Sequence, residues 1–388
     1  MTAALALARA GIRSHVLEKA DDFVELGAGL QLAPNATRVL ADLGIYERVA
    51  EVAVFPRRLV LGDAVGGGIV TELDVGEPFR CHFGHPYLVM HRHDLLSVLL
   101  DACRESGVVK LDAGREVTGV DQDEAGVEVT CNDGSRYRGP ALIGADGVRS
   151  LLRTLLSDDP LVHDHFVAYR GTLARAQAPA GARFDQMLFW IGPNFHFVQY
   201  PLRRGELFNQ VAVFKSDRYQ ADSDDWGNPD ELEERFRPAC AAVKAGLHAI
   251  RRDRRWPMVH RPPISNWTAH RLTLLGDAAH PMLQYIAQGA CQAIEDAHRL
   301  AVELQRHLPD VEAAFAAYQA ERAPRTARVQ QAAQLWGEII HVDGIGKALR
   351  NALLGPRRAD DYEPLEWLYG YGRAGAASLA APRDRRLT

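Results

Sequence analysis

Three short apolar runs in this chain each end in an acid-bearing turn. Leu272–Leu275 runs into Gly276-Asp277. Pro281 then bars a smooth continuation as helix, and a helical pattern resumes near Ala287. Ala141–Ser150, reading ALIGADGVRS, carries Asp146-Gly147 at the end of a second buried-strand run, and Ser14–Leu17 is a short strand ending at Glu18. A carboxylate at a strand end can accept hydrogen bonds from sugar or ribityl hydroxyls. A helix start offers unpaired N–H groups and partial positive charge to an anionic or electron-rich ligand. One such turn fits an ordinary strand-to-helix connection equally well. Three of them suit an extended dinucleotide.

The elements that must hold these turns can be read from periodicity. Thr2–Ala10 is expected to be a helix ended by Gly11, leading to strand Ser14–Leu17. That is the second half of a Rossmann βαβ unit, in which the acid takes the adenosine ribose hydroxyls. The fingerprint needs GxGxxG about 20 residues before the acid, and counting back from Glu18 runs off the start of the chain. The expectation is a start codon placed roughly 15 to 20 residues too late, leaving the first strand and pyrophosphate loop upstream. The rival expectation is a truncation with poor cofactor retention. Leu26–Pro34 reads as a Gly-rich turn and short strand before a helix at Asn35–Leu43, and His91–Ser106 has a helical apolar stripe with Arg92 at its start.

From Phe166 the texture changes to alternating, aromatic-rich strands: FVAYRGTLA, MLFWIG, FHFVQYPL and LFNQVAVF. They predict a mostly antiparallel sheet forming one wall of a pocket for a flat molecule. In FHFVQYPL, His196 and Tyr200 share a face with Val198 between them at period two. Gln284, after the Pro281 bend, could reach the same pocket. Read without further information, His196 is a satisfied sheet histidine. Asp230–Ala249 reads as helix with Pro238 at a start or kink. Val311–His341 reads as a long helix that Pro324 forces to restart or kink.

The motifs GADGVRS (Gly144–Ser150) and GDAAHPM (Gly276–Met282), in this order and at this separation, resemble those of single-component flavoprotein aromatic hydroxylases of the para-hydroxybenzoate-hydroxylase-like group. Within that group, Gly192–Asn209 and His280–Ala297 are similar to 3-hydroxybenzoate 6-hydroxylases, and the resemblance runs from Thr2 to about Trp336. It implies FAD, a reduced nicotinamide (NADH rather than NADPH), O2 captured as a C4a-hydroperoxide, a small phenolic acid as substrate, and a homodimer. It assigns His196 and Gln284 to the substrate hydroxyl and Tyr200 to the substrate body or carboxylate. It assigns Glu18, Arg92, Asp146, Gly147, Gly276, Asp277, Pro281, Gln288 and Gly289 to the cofactor, with Asp146 also facing the nicotinamide. Salicylate 1-hydroxylase-like and 6-hydroxynicotinate 3-hydroxylase-like activities, or a non-catalytic FAD-binding relative, share these turns.

The implied architecture is α/β (α+β overall). A discontinuous, Rossmann-like FAD-binding domain (1–56, 88–155, 268–310) carries an inserted, mostly antiparallel substrate-domain sheet (57–87, 156–267). A helical region (311–370) and a tail expected to be disordered (371–388) follow. At 388 residues the chain suits two or three domains. Its net charge of −5 gives no case for nucleic-acid binding, and no apolar run approaches the ~20 residues of a membrane span. Five scattered cysteines without a CxxC pair suggest a reducing cytoplasm. His82, His85, His91, His93, His163 and His165 include HxH and HxxH spacings, which keep a metal enzyme as an alternative.

Overall fold

A computed structural model describes residues 1–24, 28–221, 229–248, 250–373 and 379. Most of the 371–388 tail, and residues 25–27 of the Gly-rich turn, lie outside the described residues. Helix α1 (Thr2–Arg9) leads into strand β1 (Ser14–Leu17). β2 (Gly29–Leu32) precedes α2 (Pro34–Asp42) and α3 (Tyr46–Val52). The hairpin β3 (Arg58–Asp63) and β4 (Ile69–Asp74) leads through α4 (Glu77–Phe83) to β5 (Leu88–His91) and α5 (Arg92–Glu105). After β6 (Val109–Asp112) comes a meander of β7 (Val117–Asp123), β8 (Gly126–Cys131) and β9 (Arg136–Gly139), then β10 (Leu142–Gly144). Four long strands follow: β11 (Val162–Ala174), β12 (Gln186–Gly192), β13 (Phe195–Leu202) and β14 (Leu207–Lys215). Helices α6 (Pro229–Arg235) and α7 (Ala241–Leu247) precede β15 (Arg255–His260), β16 (Thr268–Ala269) and β17 (Leu272–Leu274). The chain closes with α8 (Gly289–His307), α9 (Val311–Ile340), α10 (Gly344–Leu354) and α11 (Glu366–Tyr369).

The sheets sort by connection type. Parallel pairing joins β1 to β6 and β10 to β17, the pattern expected where helices cross between strands. Among the described residues these two parallel groups share no ladder, so β1 bonds only to β6 and β10 only to β17. The large sheet has seven strands in the order β15-β11-β14-β13-β12-β3-β4. Only its β12–β3 pair is parallel. One sheet thus joins the stretches around 58–74 and 162–260, and the mostly antiparallel expectation holds.

Alternation gives this sheet two different faces. Phe195, Phe197, Phe214, Trp190 and Tyr169 pack on α6 and α7 through Leu232, Phe236, Val243 and Leu247. Phe166, Ala168, Ile191, Val211 and Val213 face the other way, against Leu283, Tyr285 and Ile340. Burying each such Phe or Leu contributes roughly 1.5–3 kcal/mol. The first face is therefore closed by its own helices. The second meets the segment after β17, which brings the sheet wall to the Gly276-Asp277 turn.

Two helix expectations differ in detail. The 229–248 region is two helices, broken around Pro238, which cannot donate to the preceding turn. Conversely, α9 runs through Pro324 without interruption for 30 residues. Arg322 and Arg325 flank that proline, and both reach carboxylates on α8. These buried pairs hold the helix across the one backbone bond the proline removes. All five cysteines are free. Among the described residues no helix is long and apolar enough to cross a membrane.

Candidate functional site

The two Gly/Asp turns meet because their strands are neighbours. Leu142 pairs with Leu272, Ile143 with Thr273 and Gly144 with Leu274, all in parallel. Both turns therefore leave the same carboxyl edge, where open α/β sheets bind ligands. Gly276 has φ +61, and a Cβ there would come within 3.2 Å of Ala293 on α8. Glycine is needed both for the left-handed backbone and for the approach of the helix. The Gly276 N–H donates to Asp296 Oδ2 at 3.0 Å, and His280 Nε2 bonds the same oxygen. Asp296 Oδ1 accepts from Arg322 Nε at 2.7 Å. A buried carboxylate on α8 thus pins the turn at both ends.

Asp277 is the one residue of this turn open to solvent, its neighbours being buried. Crowding by protein raises its pKa, an effect opposed by the charges of His280 and Arg92. Beside it α8 begins. A Cβ on Gly289 would lie 3.9 Å from Asp277 Oδ1 and from Met282. The N-cap residue Gln288 gives the helix no side-chain cap. Its amide oxygen is turned inward to Asn35 Nδ2 (3.0 Å) and Gln292 Nε2 (3.1 Å). The first-turn N–H groups of this 19-residue helix are thereby left without a side-chain cap, beside exposed Asp277. Arg92, first residue of α5, acts electrostatically on both Asp277 and Tyr200 and so lies near both. An accessible acceptor, uncapped helix donors and a cation suit a ligand with hydroxyls and phosphates, and the residues present fit a flavin dinucleotide.

The remaining cofactor candidates are placed as follows. Asp146 lies in the neighbouring turn, where it accepts from Ser150 Oγ (2.5 Å) and from the Leu152 N–H (3.2 Å). Its carboxylate thus braces its own turn, with Gly147 at φ +79 supplying the bend. Glu18 follows β1, and its Oε1 accepts from the Ala20 N–H at 2.9 Å. The Pro281 carbonyl accepts from Gln330 Nε2 at 3.1 Å. With that oxygen engaged and no N–H, Pro281 can offer a ligand only its ring.

His196, Val198 and Tyr200 do share one face of β13, opposite Val213, Val211 and Asn209 of β14. Tyr200 is buried against the backbone of β2, where a Cβ on Gly29 would fall 2.5 Å from its ring. Burial raises its phenol pKa, against the opposing charges of Arg170 and Arg92. Gly29→Ala must push the Tyr200 ring off this position. It is expected to weaken aromatic-ligand affinity by about 10-fold, a cost of the size overpacking carries, while flavin content stays unchanged. Ligand titration followed by flavin absorbance would measure both.

Arg170 was not singled out from the sequence. It extends the Phe166, Ala168 alternation of β11 onto the inner face and donates from Nη2 to Gln284 Oε1 at 2.7 Å. This bond ties the sheet wall to the turn beyond Pro281. A lone arginine at an inward position of an aromatic strand was the available signal. His196 is only 1% exposed. Its Nδ1 lies 2.9 Å from Nε2 of His341, at the end of α9, and the rings of Phe189 and Tyr285 meet it edge-on. Burial, then His341, depresses its pKa well below the ordinary histidine value, so the ring is neutral. Of the histidines with HxH or HxxH spacings, His82 pairs with Glu366 and His163 with Tyr219. Among the described residues no group of three His, Cys, Asp or Glu side chains could hold a metal ion.

Comparison with known proteins places the chain in a family. The FAD binding domain family matches residues 1–333. A 3-hydroxybenzoate 6-hydroxylase of Polaromonas naphthalenivorans (strain CJ2) is 38% identical over 372 residues, covering 96% of this chain and 93% of that protein. One from Klebsiella oxytoca is also 38% identical, covering 95% and 93%. Among solved structures, the R204Q variant of HpxO from Klebsiella pneumoniae, complexed with FAD, superposes with TM-score 0.82 at 26% identity, covering 92% of each chain. The chain accordingly belongs to the FAD-binding-domain family and is a single-component flavoprotein aromatic hydroxylase.

Proposed function

We propose that the substrate is 3-hydroxybenzoate, hydroxylated at the carbon para to its phenol to give 2,5-dihydroxybenzoate, with NADH as reductant and O2 as oxidant. The overall balance consumes NADH, H+ and O2 and forms one C–OH, water and NAD+. When bound, FAD supplies the two-electron transfer and the activation of O2. The observation that carries the reading is the Arg170–Gln284 bond within an otherwise apolar aromatic wall that also bears His196 and Tyr200. A guanidinium there suits the carboxylate of an aromatic acid. Neutral His196 and the Gln284 amide suit its phenol. Taking the phenolic proton onto His196 raises electron density at the para carbon, which must attack an electrophilic oxygen. Tyr200 packs on the ring plane. For the cofactor, Asp277, Arg92, the start of α8 and Gly289 line its recess, with Glu18 and Asp146 on the turns beside it. The 38% identity to named 3-hydroxybenzoate 6-hydroxylases supports the choice of acid.

The test is a panel of 3-hydroxybenzoate, salicylate, 4-hydroxybenzoate and 6-hydroxynicotinate with the FAD-loaded protein, NADH or NADPH, and product identification. Formation of 2,5-dihydroxybenzoate from 3-hydroxybenzoate is expected. Turnover of another acid in its place would sink the assignment. Within that assay, Arg170→Met should raise KM for 3-hydroxybenzoate about 30-fold or more, since a half-buried charge partner is removed. The rise for neutral 3-methylphenol, which has no carboxylate, should be much smaller. An unaltered KM for the acid would take the carboxylate away from Arg170.

A further inference from the structure

Two imidazoles meet in the sheet wall, and only one of them lies on a strand that sequence patterning places there. His341 follows the last residue of α9. The Phe166 ring lies 4.6 Å from it at an interplanar angle of 23°, and the His196 ring lies 5.1 Å away at 27°, meeting it edge to edge through nitrogen. The Asn194 N–H donates to its carbonyl at 3.2 Å, and Arg350 Nη1 donates to the carbonyl of Ile340 at 3.1 Å, so the helix end is held from both sides.

Burial pushes His341 down to about 3, and His196 is also held well below the usual range. Both rings are neutral, so across their 2.9 Å contact one nitrogen must carry hydrogen and the other a lone pair. The contact engages Nδ1 of His196, so the nitrogen left for any other group is Nε2. For Nε2 to accept a proton it must hold a lone pair, which puts the hydrogen of His196 on Nδ1 and makes His341 Nε2 its acceptor. Among the described residues the other rings packed on His196 do not compete for Nδ1: Phe189 offers carbon only, and the Tyr285 hydroxyl donates to Asp164 at 3.2 Å.

We propose that His341 is a positioning residue: it accepts the Nδ1–H of His196 and so fixes the tautomer whose Nε2 can take the phenolic proton of the substrate. The relay is His341, His196, substrate hydroxyl. During the reaction His196 Nε2 gains the proton and the phenol oxygen keeps the electron pair, while Nδ1–H stays on His196 and stabilises the new charge by its bond to His341. This rests on the function proposed above, which makes His196 the group that takes the phenolic proton.

The experiment uses FAD-loaded, 15N-histidine-labelled protein. Imidazole nitrogen shifts should show His196 protonated on Nδ1 with Nε2 as the unprotonated nitrogen; the reverse pattern would overturn the proposal whatever the variants do. His341→Gln, whose amide oxygen can accept the same hydrogen, should keep this pattern and most of kcat. His341→Leu, with no acceptor, should lose it and lower hydroxylation kcat on the order of 10-fold or more, leaving KM and flavin affinity unchanged. Equal losses in both variants, with the tautomer intact, would mean that His341 acts only by packing and would also overturn the proposal. If the tautomer is as expected but 3-hydroxybenzoate is not turned over, the substrate assignment fails and the histidine relay stands.

Discussion

Replacing His196 with alanine is expected to reduce hydroxylated product per NADH consumed by about 100-fold, the lower range of what a positioned base contributes. NADH oxidation should continue, with hydrogen peroxide as the other product. The separation follows from where the parts sit. On the function proposed above, the cofactor is held by Asp277, Arg92 and the start of α8. His196 belongs to β13, with neighbours in the sheet, α9 and the segment after Pro281. Removing it leaves flavin contacts in place and deletes the acceptor for the phenol. It also opens a space beside a polar nitrogen of His341 that water can enter, which favours release of peroxide over attack on the ring. Product chromatography against NADH absorbance, with catalase to report peroxide, measures the ratio. A yield equal to that of the unaltered protein would remove His196 from the chemistry.

Replacing Arg322 with methionine should have the largest effect on stability. Arg322, Glu295 and Asp296 are fully buried, with side-chain exposures of 0%. Its guanidinium bonds Asp296, Glu295 and Gln292 together. Arg325 adds a second cation to Glu295 at 2.7 Å. Breaking such a buried pair by removing one partner costs roughly 3–5 kcal/mol, a fall in Tm of about 5 °C for a chain of this size at fixed FAD concentration. Flavin affinity should fall too, because Asp296 holds Gly276 and His280 in the turn that carries Asp277.

The pH dependence has a definite sign. Asp296 is heavily desolvated, yet the charges of His280 and Arg322 win and hold it at about 2, and Glu295 is also held low by Arg322 and Arg325. A carboxyl depressed in the folded state stabilises it fully above its unfolded pKa near 4, by on the order of 2 kcal/mol for Asp296. That contribution is lost as pH falls from about 4 toward about 2. In the Arg322→Met protein the carboxylates can protonate more easily. The Tm gap to the unaltered protein should therefore narrow between pH 7 and pH 4. A gap that is small, or constant with pH, would show that the cluster is not held by charge.

How far residues alone could lead is seen in particular elements. The alternation of FHFVQYPL put His196 and Tyr200 on one face, and strand geometry delivers that whatever lies around it. The Gly276-Asp277 and Asp146-Gly147 turns were legible because a glycine and an acid after an apolar run act within a few residues, and parallel pairing of β10 with β17 aligned them. At Pro324, where a restart or kink was expected, the helix does not restart but runs on through the proline. The missing backbone bond is a local cost, whereas the Arg322 and Arg325 ion pairs that outweigh it come from a different helix. Arg170 and His341 escaped for a related reason. Arg170 lies 114 residues from Gln284, and His341 lies 145 from His196. The strand order β11-β14-β13 and the line of α9 across the sheet decide those meetings. The sequence by itself therefore determined that glycine-acid turns follow the buried strands and that His196 and Tyr200 share a strand face, since both depend on bonding between near neighbours. Only the tertiary structure decided which charge faces the amide and which imidazole sets the other's proton, because both are fixed by packing between elements far apart in the chain.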